Sequence, residues 1–372
     1  MIWNMYSQNM NANNQKRNKK KKRNFIFRGV SILCTIVFLV SGLCGCTAGG
    51  NGEKNLPKDQ KKLRVVTTIF PQYDFVRQIA GDNVSLTMLL KPGEETHSYE
   101  PTPQDIIAIQ NADLFIYVGG ENDEWVEDIL ESPEMEDVKR LRLVDCVGNI
   151  LAEEHVEGMK EERGHSHEDE EEESHDEEEH FLHSAEETEE EHNEHVHTMD
   201  EHVWTSPGNA IDIVEHITEE LCSLDSEHGQ TYKDNAEAYE TQLKELDTAF
   251  RDVVENAKNH TLLFGDRFPF RYFAAEYGLE YYAAFSGCAS DTEPSAATMA
   301  FLINKVKEEH IPVVLKMELS NDNIANAIAE ACDVPVRVFY SSHNISAKQF
   351  EAGVTYLDLM KENVETLKEA LR

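Results

Sequence analysis

LRVVTTIFPQYDFVRQIAGDNVSLTMLL, residues Leu63 to Leu90, is the stretch that decides the fold. Leu63–Thr68 is short and β-branched, a composition that suits a pleated, half-buried strand. From Phe70 to Ala80 the apolar residues fall at helical spacing, and Gly81-Asp82-Asn83 ends the run. Val84 to Leu90 reads as a second strand, broken by Lys91-Pro92-Gly93. Strands alternating with helices imply a parallel, twisted sheet with helices on both faces.

The alternation continues outward from there. Thr102-Pro103-Gln104-Asp105 starts a helix, with Thr as N-cap, Pro in the first turn and an acid at the positive end. Leu114–Val118 is a third strand, ended by Gly119-Gly120, and Leu141–Val147 a fourth. Pro207–Leu224 reads as a helix. Ser226–Asn259 is a much longer helical pattern; thirty residues would span about 45 Å, more than one small domain needs. It reads as a strut between two halves. Strands then return at Thr261–Phe264, Leu279–Phe285, Pro312–Met317 and Val336–Tyr340. The helices between them are Pro269–Tyr277, Thr298–Glu309 and Asn323–Cys332, with Ala347–Leu371 closing the chain as one helix. The expected class is therefore α/β: two lobes with parallel sheets flanked by helices, joined by one long helix, with a cleft between them.

The N-terminus reads as a targeting segment. A basic region from Lys16 to Arg28 precedes an apolar run, Gly29–Leu43, and then Leu43-Cys44-Gly45-Cys46. This is the order of an export signal. Leu-x-Gly-Cys resembles a bacterial lipoprotein signal, with Cys46 as the lipidated first residue of the mature chain. The expected division is 1–46 signal, 47–62 flexible tether, 63–206 N-terminal lobe, 207–259 helical region and 260–372 C-terminal lobe. Of the later cysteines, 146, 222, 288 and 332, none shows C-x-x-C spacing, so a cysteine zinc site is not expected. Exported proteins do form disulfides, and Cys288 with Cys332 is one pairing open to the second half.

The chain carries a formal net charge of −37 over 372 residues, more than half of it between Leu151 and Pro207. Such a balance argues against nucleic acid as a partner and suits a cation ligand. Within the N-terminal lobe, 152–199 is a loop of glutamates and histidines with no apolar periodicity, expected to be disordered. Imidazoles among carboxylates bind divalent transition metals, zinc foremost. His165, His167, His175, His180, His183, His192, His195 and His197 would form a metal-collecting arm. It leads into Asp200-Glu201-His202-Val203-Trp204, where Trp204 would anchor the segment and leave the imidazole facing a cleft.

His97, His202 and His343 each lie in turn-like sequence after a strand or just before a helix. Open α/β sheets bind ligands beyond the carboxyl ends of their strands. His216, His228, His260 and His310 fall on or beside predicted helices and read as solvated. Pro92, Gly93, Pro101 and Pro103 would stiffen the loop that carries His97. Glu318, at the end of a strand, is a reserve oxygen ligand.

Lys91-Pro92-Gly93 with His97-Ser98-Tyr99-Glu100-Pro101-Thr102-Pro103 resembles the first ligand loop of the metal-binding lipoproteins that serve zinc and manganese ABC importers. Asp200-Glu201-His202-Val203-Trp204 with Ser206-Pro207 is similar to that family's second ligand segment, and an acid- and His-rich loop just before it is typical of its zinc members. The resemblance implies His97 and His202 as ligands. The family's third ligand is usually a histidine after the first strand of the second half; this chain reads Phe264-Gly265-Asp266-Arg267-Phe268 there, so Asp266 is assigned. The fourth is commonly an acid after the last strand, a role that falls to His343 in this chain. Three imidazoles and one carboxylate suit tetrahedral zinc, with manganese the nearest rival.

The function implied is an extracytoplasmic, membrane-anchored, monomeric binding protein that captures zinc and delivers it to an ABC permease and its ATPase. An exported zinc-dependent hydrolase is a weaker reading, because H-E-x-x-H and an obvious nucleophile are lacking. A surface adhesin or metal buffer without a transporter is a third.

Overall fold

The computed structural model describes residues 62–94, 99–120, 123–159, 199–287, 289 and 293–372. The signal, the tether, His97, Cys288 and all the arm histidines lie outside these residues.

Two four-stranded parallel sheets are built as the alternation predicts. The first contains β1 (Leu63–Thr67), β2 (Val84–Met88), β3 (Leu114–Tyr117) and β4 (Lys139–Arg142), in the order β2-β1-β3-β4. The second contains β5 (Thr261–Phe268), β6 (Glu280–Ser286), β7 (Val314–Lys316) and β8 (Val336–Val338), in the order β6-β5-β7-β8. The register in the first sheet pairs Leu63 with Val84 and Val65 with Leu114. In the second, the pairing of β5 with β6 shifts between Phe264 and Arg267. That irregularity re-aims the strand next to the ligand-binding end of the sheet. It also explains why β5 runs past Phe264, where an uninterrupted strand reading stops.

The helices are α1 (Phe70–Ala80), α2 (Pro103–Gln110), α3 (Glu124–Leu130), α4 (Pro207–Leu224), α5 (Gly229–Glu255), α6 (Arg271–Tyr277), α7 (Ala296–Glu308), α8 (Asn323–Cys332), α9 (Ala347–Glu351) and α10 (Tyr356–Ala370). In α1 the buried Phe75, Val76 and Ile79 form the stripe that packs on the sheet. The helix stops at Gly81, which takes φ 53°.

Two expectations are corrected. The fourth strand lies at Lys139–Arg142, and Leu143–Cys146 turns as a 3-10 segment. Leu143, Val144 and Cys146 are buried in the core, so their hydrophobicity reports burial and not strand. The closing helix is two helices, because Gly353 at φ 74° ends the first and Thr355 caps the second by accepting from the Asp358 amide at 3.0 Å.

The 27-residue α5 spans about 40 Å. One continuous core runs along it: Tyr232, Ala236 and Tyr239 pack with α1, and Leu246 and Phe250 pack with the second lobe's Phe273, Leu357 and Val364. Cys146, Cys222 and Cys332 are free thiols; Cys332 Sγ sits 3.5 Å from the carbonyl of Ile303. Among the described residues no helix is long and apolar enough to cross a membrane.

Candidate metal centre

His202 lies one turn before α4. Ser206 caps that helix, accepting from the Asn209 amide at 3.1 Å, and Pro207 occupies its first turn. The capped helix fixes the short 3-10 turn Val203–Thr205 that precedes it. Trp204 is fully buried, and its indole N–H donates to the carbonyl of Ser341 at 2.9 Å. With the tryptophan anchored, the neighbouring imidazole is held inside the protein, 0% exposed.

Asp200 sets the chemistry of that ring. Its Oδ1 accepts from the His202 amide at 2.9 Å and from Nδ1 at 3.1 Å. A carboxylate only accepts, so Nδ1 carries the proton and Nε2 keeps the lone pair. Nε2 is buried and has no hydrogen-bond partner among the described residues. A buried nitrogen with an unused lone pair is costly unless a ligand takes it. Burial disfavours the charged ring, but the carboxylates of Asp200 and Glu201 outweigh it and raise the pKa of His202 above the ordinary value.

His343 follows β8 in the loop Ser341–Asn344. Its ring stands nearly perpendicular to that of His202, with centroids 5.4 Å apart, and rests 5.0 Å from Trp204. The backbone there is strained: Ser342 takes φ 60° while fully buried. Such strain persists only where the surroundings enforce it. The enforcing contacts come from the first lobe. The Phe70 amide at the start of α1 donates to the His343 carbonyl at 3.3 Å. Asn344 Nδ2 donates to the carbonyls of Lys91 and Glu94, at 2.8 and 2.9 Å. Residues 91–94 are thereby tied to the segment that carries His343.

Glu318 follows β7. Ser341 donates to it twice, from its amide at 2.7 Å and from Oγ at 2.8 Å. Burial pushes this carboxyl up to about 7, against those stabilising bonds. Glu318, His202 and His343 line one cavity of about 40 Å³, together with Glu94, Arg267 and Asn344. That is room for an ion or a single water, not for an organic substrate. Among the described residues, no three His, Cys, Asp or Glu side chains already surround a single point at coordinating distance.

Asp266, assigned from sequence as the carboxylate ligand, is placed elsewhere. It lines an adjacent cavity of about 160 Å³ with Ser320 and Asn321. Its Oδ1 accepts from the Arg267 amide at 2.9 Å, and its Oδ2 accepts from the Met317 amide at 2.9 Å and from Ser320 Oγ. These bonds make it a brace for the turn that presents Glu318. His216, His260 and His310 are exposed, and His228 is half-buried on Asp225 at 2.7 Å.

Gly287, which the sequence did not single out, closes against the site. A Cβ there would come within 3.0 Å of the Phe268 carbonyl and 3.3 Å of His202 Cε1. Asp200 was missed as an orienting group, although an acid two residues before a histidine was the available signal. Ser341 carried no signal, since a serine's partners depend on tertiary packing.

A family profile described as zinc-uptake complex component A, periplasmic (ZnuA), matches residues 65–370. The chain is 32% identical over 309 residues to the zinc-binding lipoprotein AdcA of Streptococcus pneumoniae, covering 83% of this chain and 56% of that protein. It thus spans about half the length of that relative. It is 31% identical over 341 residues to the high-affinity zinc uptake system protein ZnuA of Bacillus subtilis, covering 90% of this chain and 94% of that one. Among solved structures, the Zn(II)-bound ZnuA-like domain of S. pneumoniae AdcA superposes with a TM-score of 0.63 at 28% identity, covering 83% of this chain and 99% of that domain. The profile match takes in both sheets and every described residue of the cavity, and the chain belongs to the ZnuA family.

Proposed function

We propose that this chain captures zinc in the cavity between its lobes and hands it to the permease of an ABC importer, powered by that importer's ATPase. The observation that carries the reading is His202: a buried imidazole whose Nδ1 is locked by Asp200 and whose Nε2 lone pair has no partner among the described residues. His343 and Glu318 share its cavity and complete a nitrogen–oxygen donor set suited to zinc. In this reading Glu318, and not Asp266, supplies the carboxylate. His97 adds the third imidazole on sequence grounds; Glu94, three residues before it, lines the cavity. AdcA and the B. subtilis ZnuA are described as zinc-binding and zinc-uptake proteins, which supports the same cargo.

The reading requires no bond to be made or broken, so the chain acts as a carrier and not as an enzyme. Cys46 would anchor it by lipid outside the cytoplasmic membrane, and the arm histidines would raise the local zinc concentration. Titration of the purified chain with Zn²⁺ and, in competition, Mn²⁺ tests the core of it. One zinc should bind tightly and outcompete manganese, and His202→Ala should abolish that site. Equal zinc binding by the variant would overturn the assignment.

A further inference from the structure

We propose that Tyr356 is a positioning residue for the metal centre: its hydroxyl fixes Trp204, and Trp204 in turn sets the two histidines and, through Ser341, the carboxylate of Glu318. The inference rests on the zinc-capture reading and names what holds its ligands in place.

Tyr356 is fully buried, and burial raises its phenol far above the ordinary range, so the hydroxyl stays a donor. It donates to the Trp204 carbonyl at 2.7 Å. The Trp204 indole N–H then donates to the Ser341 carbonyl, and Ser341 gives both its amide and its hydroxyl to Glu318. The indole ring lies 5.5 Å from the His202 ring and 5.0 Å from the His343 ring. One tryptophan therefore touches two of the ligands and is bonded to the residue that holds the third.

Tyr356 is itself fastened to the opposite lobe. The break at Gly353 places it in the first turn of α10, where a helix leaves its amides without helical partners. That amide donates to Asp74 Oδ2 at 2.6 Å. Asp74 is fully buried on α1, and Arg77 beside it donates to the Val354 carbonyl at 2.9 Å. The relay runs from α1 through α10 to the metal cavity with every step a hydrogen bond.

A second tyrosine makes the contrast. Tyr239 is buried in the same core and faces the same Phe75 ring, yet its hydroxyl has no partner among the described residues. Packing alone explains Tyr239; it does not explain the oriented hydroxyl of Tyr356.

Full-length Tyr356→Phe and Tyr239→Phe chains separate the two roles. Zinc release into excess chelator is followed by stopped flow, and the visible absorption of the Co²⁺-loaded chain reports coordination geometry. Tyr356→Phe should release zinc about tenfold faster and shift the Co²⁺ bands, while Tyr239→Phe matches the wild type in both. Asp74→Asn, which loosens the tyrosine amide, should move release in the same direction and covers the case of a Tyr356→Phe chain that does not fold. Wild-type release and a wild-type Co²⁺ spectrum in Tyr356→Phe would overturn the proposal, as would an equal change in Tyr239→Phe. A wild-type chain that takes up no zinc would overturn both this and the capture reading.

Discussion

Replacing Asp200 by Asn tests the electrostatics of the site most directly. The amide oxygen keeps an acceptor where Oδ1 now meets the His202 amide at 2.9 Å and Nδ1 at 3.1 Å, but the charge is gone. A hydrogen bond to an ionised partner is stronger than a neutral one by about 1 kcal/mol, and outer carboxylates of this kind change metal affinity about 10- to 100-fold. Because Asn retains the acceptor, the lower end applies: zinc affinity should fall about tenfold at pH 8. The pH dependence adds a second, signed expectation. Burial lowers the pKa of His202, and Asp200 and Glu201 raise it by more, so the wild-type ring holds its proton to a higher pH. Zinc must displace that proton. Removing the Asp200 charge lowers the ring's pKa and weakens the competition. The gap between wild type and variant should therefore narrow at pH 6. Competition against a fluorescent chelator at the two pH values gives both numbers. Equal affinities at pH 8, or a gap that widens on acidification, would refute the tautomer and charge assignment.

Glu318→Gln should lose zinc affinity about 100-fold by the same titration, since a carboxylate ligand becomes a neutral amide. Its carboxyl is pushed up to about 7 in the folded chain, so the folded state binds its proton more tightly than the unfolded chain does. Zinc-free wild type should then lose stability relative to Glu318→Gln as pH rises from the unfolded value to about 7, by roughly 3 kcal/mol; denaturant melts at pH 5 and pH 8 measure it. Gly287→Ala should weaken zinc binding about tenfold while the chain still folds, because the added methyl presses on His202 Cε1 and the Phe268 carbonyl; unchanged binding counts against the closeness of that wall. Ser342→Gly should stabilise the zinc-free chain by about 1 kcal/mol in the same melts, by relieving the left-handed backbone at φ 60° and removing a buried hydroxyl that lacks a partner.

Much of the fold was legible because most of its strands are short apolar runs punctuated by Gly and Pro, and both sheets appear in the expected order apart from the shifted fourth strand. The misreadings have two causes. Leu143–Cys146 is hydrophobic for burial, and the α9–α10 break is written only in Gly353 and the Thr355–Asp358 cap, which a long apolar periodicity hides. At the site, His202 and His343 could be chosen because loop histidines at strand ends are few. The choice between Asp266 and Glu318 could not be made from sequence. Read from sequence both follow a strand in the same lobe, and only tertiary contacts show that one braces a turn while the other shares a cavity with the imidazoles.

The location of the relay constrains how the cargo leaves. A single hydrophobic core runs the length of α5 and through both lobes, so swinging a lobe off that helix would expose buried aromatics, Phe75 and Tyr239 on one side or Phe250 and Phe273 on the other. Each 100 Å² of apolar surface uncovered costs about 2.5 kcal/mol, which disfavours a wide opening of the lobes. On the zinc-capture reading, motion sufficient for release would be cheaper in the loops after β2, β7 and β8, where hydrogen bonds tie the lobes: Asn344 to Lys91 and Glu94, Phe70 to His343 and Trp204 to Ser341. The backbone at Leu319 and Ser342 is already strained there, at φ 60° each. On the zinc-capture reading, release would run through these loops and leave the core along α5 in place.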